Sequence, residues 1–564
     1  MKRTTQIDWP ALLLITAILL GGLARFMPAF VTRFPINDGG MFYTMTQELS
    51  ANGYALPATT AYNGLDLPYA YPPLGFYLAS LLADFGRIPL LGVFLWLPPL
   101  LATLTIPAFY LLARALLRDD LRAALASIFF ALTPGGYGWH IMGGGITRSL
   151  GLVFLLLAAF YVFRLFSART AKSPDRSAKS LDRSAKSPNR RAKSPDRSAK
   201  SPNRSAKSPD FARSRETSES APFDFAFALL FCSLAVLSHP EIAIQTAGLC
   251  AVIWLFCGRT RRGTLHAALV SLGVLVLTAP WWGTVLAQHG LAPFLSASQT
   301  GLHTSASWSK FFTDNFTLSG VFPFLVILRV IGLGYAFFKR QWLLLVLLVV
   351  PYLVDPRSAP AVSYLGFNLL SALALLDAIP YLAGRARKSQ AAIQPLLEAR
   401  TGAILLFALV FLQFLDCGLF NYRLINTTLT PADREALAWT RENLPPASDF
   451  LLITTKPFSM SDPLQEWFPT LTGQHSQTTL QGLEWTLGGN FMGRLKDLAA
   501  LQSCADLACV ETWSARTGLA YDYLWITIVP DSTSATLAEE VRASADYRIV
   551  YESDAIVIFE PGEK

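Results

Sequence analysis

Eleven apolar runs, most of them near the length of a membrane-crossing helix, constrain this chain more than any motif it carries. They fall near 9–30, 88–112, 121–138, 147–166, 222–238, 241–257, 264–286, 319–337, 341–354, 362–381 and 402–419. A helix of roughly 17–25 apolar residues crosses ~30 Å of hydrocarbon. Hydrophobic residues make up 52% of 564 and charged residues 15%, which excludes an ordinary soluble enzyme. The expected fold class is an α-helical polytopic membrane protein of about 11 transmembrane helices.

Orientation follows from Lys and Arg, which gather on the cytoplasmic side of such proteins. Lys2/Arg3, Arg114/Arg118/Arg122, Arg164 to Arg215, Arg259/Arg261/Arg262, Lys339/Arg340 and Arg385/Arg387/Lys388 all share one side if the apolar helix at 73–86 lies in the outer interface. The N-terminus is then inside and the C-terminus outside. The first run has no small-x-small cleavage site and reads as a retained anchor.

The net charge of +8 does not point to nucleic acid. Residues 171–219 hold 14 Lys and Arg against 6 Asp and Glu, which is the whole excess. Within them, 171–210 is a tandem heptapeptide beginning AKSPDRS, with recurrent proline and no apolar a/d pair. It reads as a disordered cytoplasmic linker, with binding to anionic lipid headgroups as the alternative. The expected organisation is a transmembrane module with a catalytic outer loop at 1–170, the linker at 171–221, a second transmembrane module at 222–420, and an extracytoplasmic α/β domain at 421–564. In that last part 432–444 reads as an amphipathic helix, and 449–455, 523–529, 547–551 and 555–559 read as strands. Cys504 and Cys509 form a disulfide only if the helix breaks between them.

The chemistry is expected on the outer side. Asp38, in Pro35-Ile36-Asn37-Asp38-Gly39-Gly40, has two readings: N-cap of a helix over 41–51, or general base for an acceptor hydroxyl. Ser238-His239-Pro240-Glu241 begins a helix as caps do, and also presents His239 and Glu241 to an outer cavity, as candidates for binding the donor and its phosphate. Gly143-Gly144-Gly145-Ile146-Thr147-Arg148 opens a span whose free amides, with Arg148, suit a phosphate; the plainer reading is a loop with a snorkelling arginine. Arg357, in Asp355-Pro356-Arg357, offers a paired-donor fork to phosphate, or pairs locally with Asp355. Arg329 lies mid-span, where a charge costs ~2.5–3.5 kcal/mol, and Asp377 is its expected partner. His140 and Tyr71 are further cavity candidates.

This layout resembles the GT-C class of polytopic glycosyltransferases, which includes oligosaccharyltransferases, protein O-mannosyltransferases and aminoarabinose transferases. The likeness is carried by the first span, the outer loop acid, the helix opening Gly39-Gly40-Met41-Phe42-Tyr43 and the approach Tyr69-Ala70-Tyr71-Pro72-Pro73-Leu74. It implies a sugar donor on polyprenyl phosphate or diphosphate and a glycan, lipid or protein acceptor. It also implies a multi-pass protein of the bacterial cytoplasmic membrane with an extracytoplasmic site. Asp38 matches the family's loop acid, as base or as ligand to a divalent cation such as Mg or Mn. Several relatives carry an Asp-Glu pair where this chain has Asn37 before Asp38 and Gly39 after it, so metal use stays open. The motifs Glu466-Trp467-Phe468-Pro469 and Gly482-Leu483-Glu484-Trp485 look like those of uncharacterised bacterial relatives and carry no assigned chemistry. The competing readings are a transporter or flippase of a lipid-linked or small substrate, and a non-catalytic scaffold in which Asp38 is only a cap.

Overall fold

The structure, a computed structural model, describes residues 8–170, 221–300, 307–316, 324–382 and 400–562. The heptapeptide tract and its linker lie outside the described residues, as do His303 and the basic residues Lys2, Arg3, Arg385, Arg387 and Lys388. The helices are α1 (Trp9–Thr32), α2 (Gly40–Ala51), α3 (Leu74–Asp84), α4 (Leu90–Leu117), α5 (Asp120–Ala131), α6 (Gly145–Thr170), α7 (Ala221–Ser238) and α8 (Pro240–Cys257). There follow α9 (Arg261–His289), α10 (Ala292–Ser298), α11 (Ser307–Phe316), α12 (Phe324–Phe338), α13 (Trp342–Val354), α14 (Ala359–Leu382) and α15 (Arg400–Ile425).

Among the described residues seven helices are long and apolar enough to cross a membrane: α1, α4, α6, α8, α9, α14 and α15. The chain is an α-helical polytopic membrane protein. Its periphery shows it: α9 exposes Leu265, Leu269, Leu272 and Val276, and α15 exposes Leu405, Phe407 and Phe411. Apolar side chains repeated like this need lipid around them. The other expected spans are shorter helices, α7, α12, α13 and α5. The run at 121–138 departs furthest. Its helix α5 has 12 residues, about 18 Å, and ends before Thr133-Pro134-Gly135-Gly136. Thr133 is extended, as residues before proline prefer to be.

One end of the bundle collects the helix termini that matter. The Asn37 amide donates to Thr427, joining the end of α1 to the end of α15. The Gly143 amide donates to Ile36, and Gln245 of α8 reaches the Asp355 carbonyl after α13. The opposite end carries the described basic clusters, with Arg164 on Asp224 and Arg122 on Asp377.

After α15 come α16 (Pro431–Asn443), α17 (Pro463–Thr472), α18 (Phe491–Leu501), α19 (Leu507–Thr517) and α20 (Thr533–Ala543). A five-stranded sheet runs through them. After the short hairpin β1 (Thr59–Thr60) and β2 (Leu67–Pro68), its strands are β3 (Asp449–Ile453), β4 (His475–Ser476), β5 (Tyr523–Thr527), β6 (Tyr547–Glu552) and β7 (Ile556–Pro561), in order β4-β3-β5-β7-β6. Strand β3 is parallel to β4 and β5, and β7 is antiparallel to β5 and β6. Alternation decides what each face covers. Leu451, Ile453, Leu524 and Ile526 pack under α18, α19 and α20. Phe450, Leu452 and Trp525 join a core with Met45, Tyr62, Phe76 and Phe94 from the N-terminal part. The sheet is thus docked on α2 and α3 through apolar packing. Cys504 and Cys509 are disulfide-bonded with Cα atoms 5.6 Å apart, in the break between α18 and α19.

Candidate functional site

Asp38 leaves α1 on a loop that three elements grip. The Trp467 indole of α17 donates to the Asn37 carbonyl at 3.0 Å, and the Thr470 hydroxyl to the Gly40 carbonyl at 2.9 Å. From the other side, Gly143 approaches so closely that a Cβ there would meet the Asp38 carbonyl oxygen at 1.9 Å. Only glycine allows that approach.

Asp38 does not cap α2. The N-cap of α2 is Gly39, at φ +123, with no side-chain cap of its own. The caps are exchanged across space. Asp38 accepts from the Gly144 amide at 2.9 Å, at the start of α6. The Gly39 and Met41 amides of α2 donate instead to Glu466, at 3.3 and 3.1 Å. The Asp38 carboxylate over the free amide of α6 is favoured by the dipole as well as the bond.

Arg148 holds Asp38 through one nitrogen, at 3.0 and 2.7 Å to the two carboxylate oxygens, and lies over the Trp139 ring at 5.3 Å. Both side chains are 17% exposed. Next to the pair, the Tyr71 hydroxyl lies 3.4 Å from Thr147, and its ring meets His239 edge-on at 5.8 Å. His239 caps α8 through Nδ1. Burial, with Arg148, His140 and Arg357 nearby, holds His239 well below its usual range. Burial, then the charges of Arg148 and Arg25, bring His140 down to about 3. Both imidazoles are therefore neutral.

Arg357 completes the group. It pairs with Glu241 at 3.1 Å, and Asp355, whose charge also reaches it, accepts from Ser358. Its side chain is 38% exposed, and its N–H groups donate no hydrogen bond among the described residues. A guanidinium so placed has its donors available for phosphate oxygens. Glu484 sits within electrostatic reach of both Arg357 and Glu241, and burial raises its carboxyl.

Six predicted residues thus converge with His140: Asp38, Arg148, Tyr71, His239, Glu241 and Arg357. Arg329 does not. It is buried over the rings of Tyr364 and Phe367, at 5.1 and 5.5 Å. Its expected partner Asp377 is taken by Arg122 at 2.6 Å, beside a cavity of about 550 Å³ at the basic end. Aromatic faces offset the buried guanidinium there. Glu466 and Glu484 were not anticipated. The signal was an acid directly before tryptophan, twice, in polar sequence.

The residues do not make a protein cage for a divalent cation, which takes several oxygen ligands. Asp38 is engaged by Arg148 and Glu466 by two amides. Among the described residues no three His, Cys, Asp or Glu side chains are grouped so that they could hold a metal ion.

No protein-family model and no curated protein matches the sequence. Among solved structures the chain is similar to ArnT from Cupriavidus metallidurans, at 14% identity and TM-score 0.49, covering 98% of this chain and 97% of that one. The same protein bound to undecaprenyl phosphate gives 15% and 0.48, with coverage of 98% and 97%. The arabinofuranosyltransferase AftD from Mycobacteria gives 14% and 0.48, covering 99% of this chain and 40% of that one. Similarities this distant assign no substrate and no residue role.

Proposed function

We propose that the chain is a GT-C type membrane glycosyltransferase, moving a sugar from a polyprenyl phosphate or diphosphate to an acceptor hydroxyl at the extracytoplasmic face of the bacterial cytoplasmic membrane. One observation carries the reading: Asp38 and Arg357, from distant parts of the chain, converge with their charges partnered by Arg148 and Glu241. The described Lys and Arg clusters at the opposite end support the sidedness.

The residues divide the work. The acceptor oxygen bonds to the anomeric carbon as the bond from that carbon to the phosphate oxygen breaks, in a single displacement. Asp38 takes the hydroxyl proton. Each carboxylate oxygen has more than one acceptor site, so Arg148 can keep its hold meanwhile. Arg148 is a positioning residue. Arg357 meets the negative charge that develops on the departing lipid phosphate, and fixed charges of this kind act where charge appears in the transition state. Neutral His239 and Tyr71 fill the space between the two ion pairs without adding charge.

The test is transfer of labelled sugar from polyprenyl-phosphate donors by the full chain in proteoliposomes. Asp38→Asn is expected to lower turnover by about 10²–10⁴-fold, and Arg357→Gln by about 10²–10³-fold. Wild-type turnover in Asp38→Asn removes Asp38 from the chemistry. Substrate uptake that depends on the protein, without any transfer, favours the transporter.

A further inference from the structure

A cleft of about 600 Å³ opens between α10 and the 485–490 loop, beside the site. We infer that it is a saccharide subsite, and that the acceptor hydroxyl belongs to a carbohydrate. This rests on the glycosyltransferase reading above.

Position comes first. The 3₁₀ turn Leu483–Trp485 is the shared wall of the cleft and the reaction site. Glu484 faces the field of Arg357 and Glu241, while the next residue, Trp485, lines the cleft with its ring 6.4 Å from that of Tyr71. A molecule in the cleft is therefore separated from the ion-paired site by one aromatic side chain.

Construction comes second. Ser296 of α10 donates to the Glu484 carbonyl at 2.7 Å and accepts from the Gly488 amide at 2.8 Å, so the two walls are tied together. Gly488 sits at φ +52, and a Cβ on it would lie 3.0 Å from the Gln299 amide oxygen. The neighbouring Gly489 has open space around it.

Chemistry decides the ligand. Among the described residues no Asp, Glu, Lys or Arg lines the cleft, and its one imidazole, His289, lies 2.7 Å from the Ala58 carbonyl, so it does not suit a phosphate or a charged peptide. The Gln299 and Asn490 side chains are exposed, and their amides make no hydrogen bond among the described residues. Each amide carries two donors and an acceptor oxygen, which matches neighbouring hydroxyls of a sugar. A half-buried tryptophan supplies an apolar face with a polar rim nearby, the other half of such recognition. The volume lies in the ~300–1,000 Å³ range of small-molecule sites.

Saturation-transfer NMR on the full chain in nanodiscs tests this, with maltotetraose, cellotetraose, a mannotetraose and an arabinotetraose, and with a serine-rich peptide as control. At least one saccharide is expected to receive saturation. Asn490→Ala and Gln299→Ala, both on exposed side chains, should each cut it at least threefold. Trp485→Ala should abolish it, Trp485→Phe should restore part, and Asp38→Asn should leave it intact. Binding by no saccharide, binding indifferent to all these cleft substitutions, or binding by the peptide alone overturns the proposal. Saccharide binding that follows the expected pattern, in a protein that transfers no sugar, would instead sink the enzymatic reading and leave the cleft standing.

Discussion

Glu466 accepts two backbone amides at the start of α2 while buried beside Asp38. Burial, then the charge of Asp38, pushes its carboxyl up to about 8. The folded state therefore holds a proton that the unfolded chain releases near 4.5. Between those values the native state binds more protons, so this group's contribution to stability falls as pH rises, and the loss is complete above about 8. Glu466→Gln keeps an oxygen for the amides and cannot ionise. It should melt close to wild type at pH 5 and above wild type at pH 9; parallel melting curves across that range would contradict the assignment. Of the two sequence readings of Asp38, the cap of α2 is not what forms, since its side chain accepts from the start of α6. A cap is read from local spacing, whereas here each acid serves a helix distant in sequence, Asp38 by 106 residues and Glu466 by 425.

At the scale of elements, α17 acts as a clamp on the Asp38 loop. Trp467 is fully buried, packs edge-on against Phe34 at 5.0 Å and holds the Asn37 carbonyl. Trp467→Phe keeps most of the apolar area but leaves that carbonyl unsatisfied, at a cost of about 1–3 kcal/mol. Because orientation of reacting groups is worth large factors in rate, transfer should fall by about tenfold or more with donor KM little changed. Unchanged turnover in a destabilised variant would make the clamp purely structural. Four of the five strands of the sheet were legible, since short runs bounded by polar turns at 449–453, 523–527, 547–552 and 556–561 carry their own pattern, whereas the two residues of β4 carry none. Helix α17 was not. Its sequence PLQEWFPTLT buries eight of ten residues, and the proline at 469 interrupts the helical pattern that reveals amphipathic segments. The end of α5 was misplaced for a related reason: hydrophobicity continues past Ala131 while the backbone does not.

For the molecule as a whole, the same asymmetry that organises the helices predicts its sidedness. Arg114, Arg118, Arg122, Arg164, Arg259, Arg261, Arg262, Lys339 and Arg340 lie toward the end away from Asp38, and the basic heptapeptide tract follows Arg164 in sequence. Positive loops stay in the cytoplasm, so that tract and the Asp38 loop should be reached from opposite sides. The four cysteines outside the disulfide, Cys232, Cys250, Cys257 and Cys417, are buried or half-buried in helices, which leaves a low background for labelling. In intact cells an impermeant maleimide should label Ser298→Cys, an exposed position at the end of α10, and should not label Ser187→Cys in the tract until the membrane is opened. The reverse pattern would turn the protein over. It would put Arg357, Asp38 and the cleft in the cytoplasm, where nucleotide-activated sugars are available, and the argument for a lipid-linked donor would lose its physical basis even with every contact in the site unchanged.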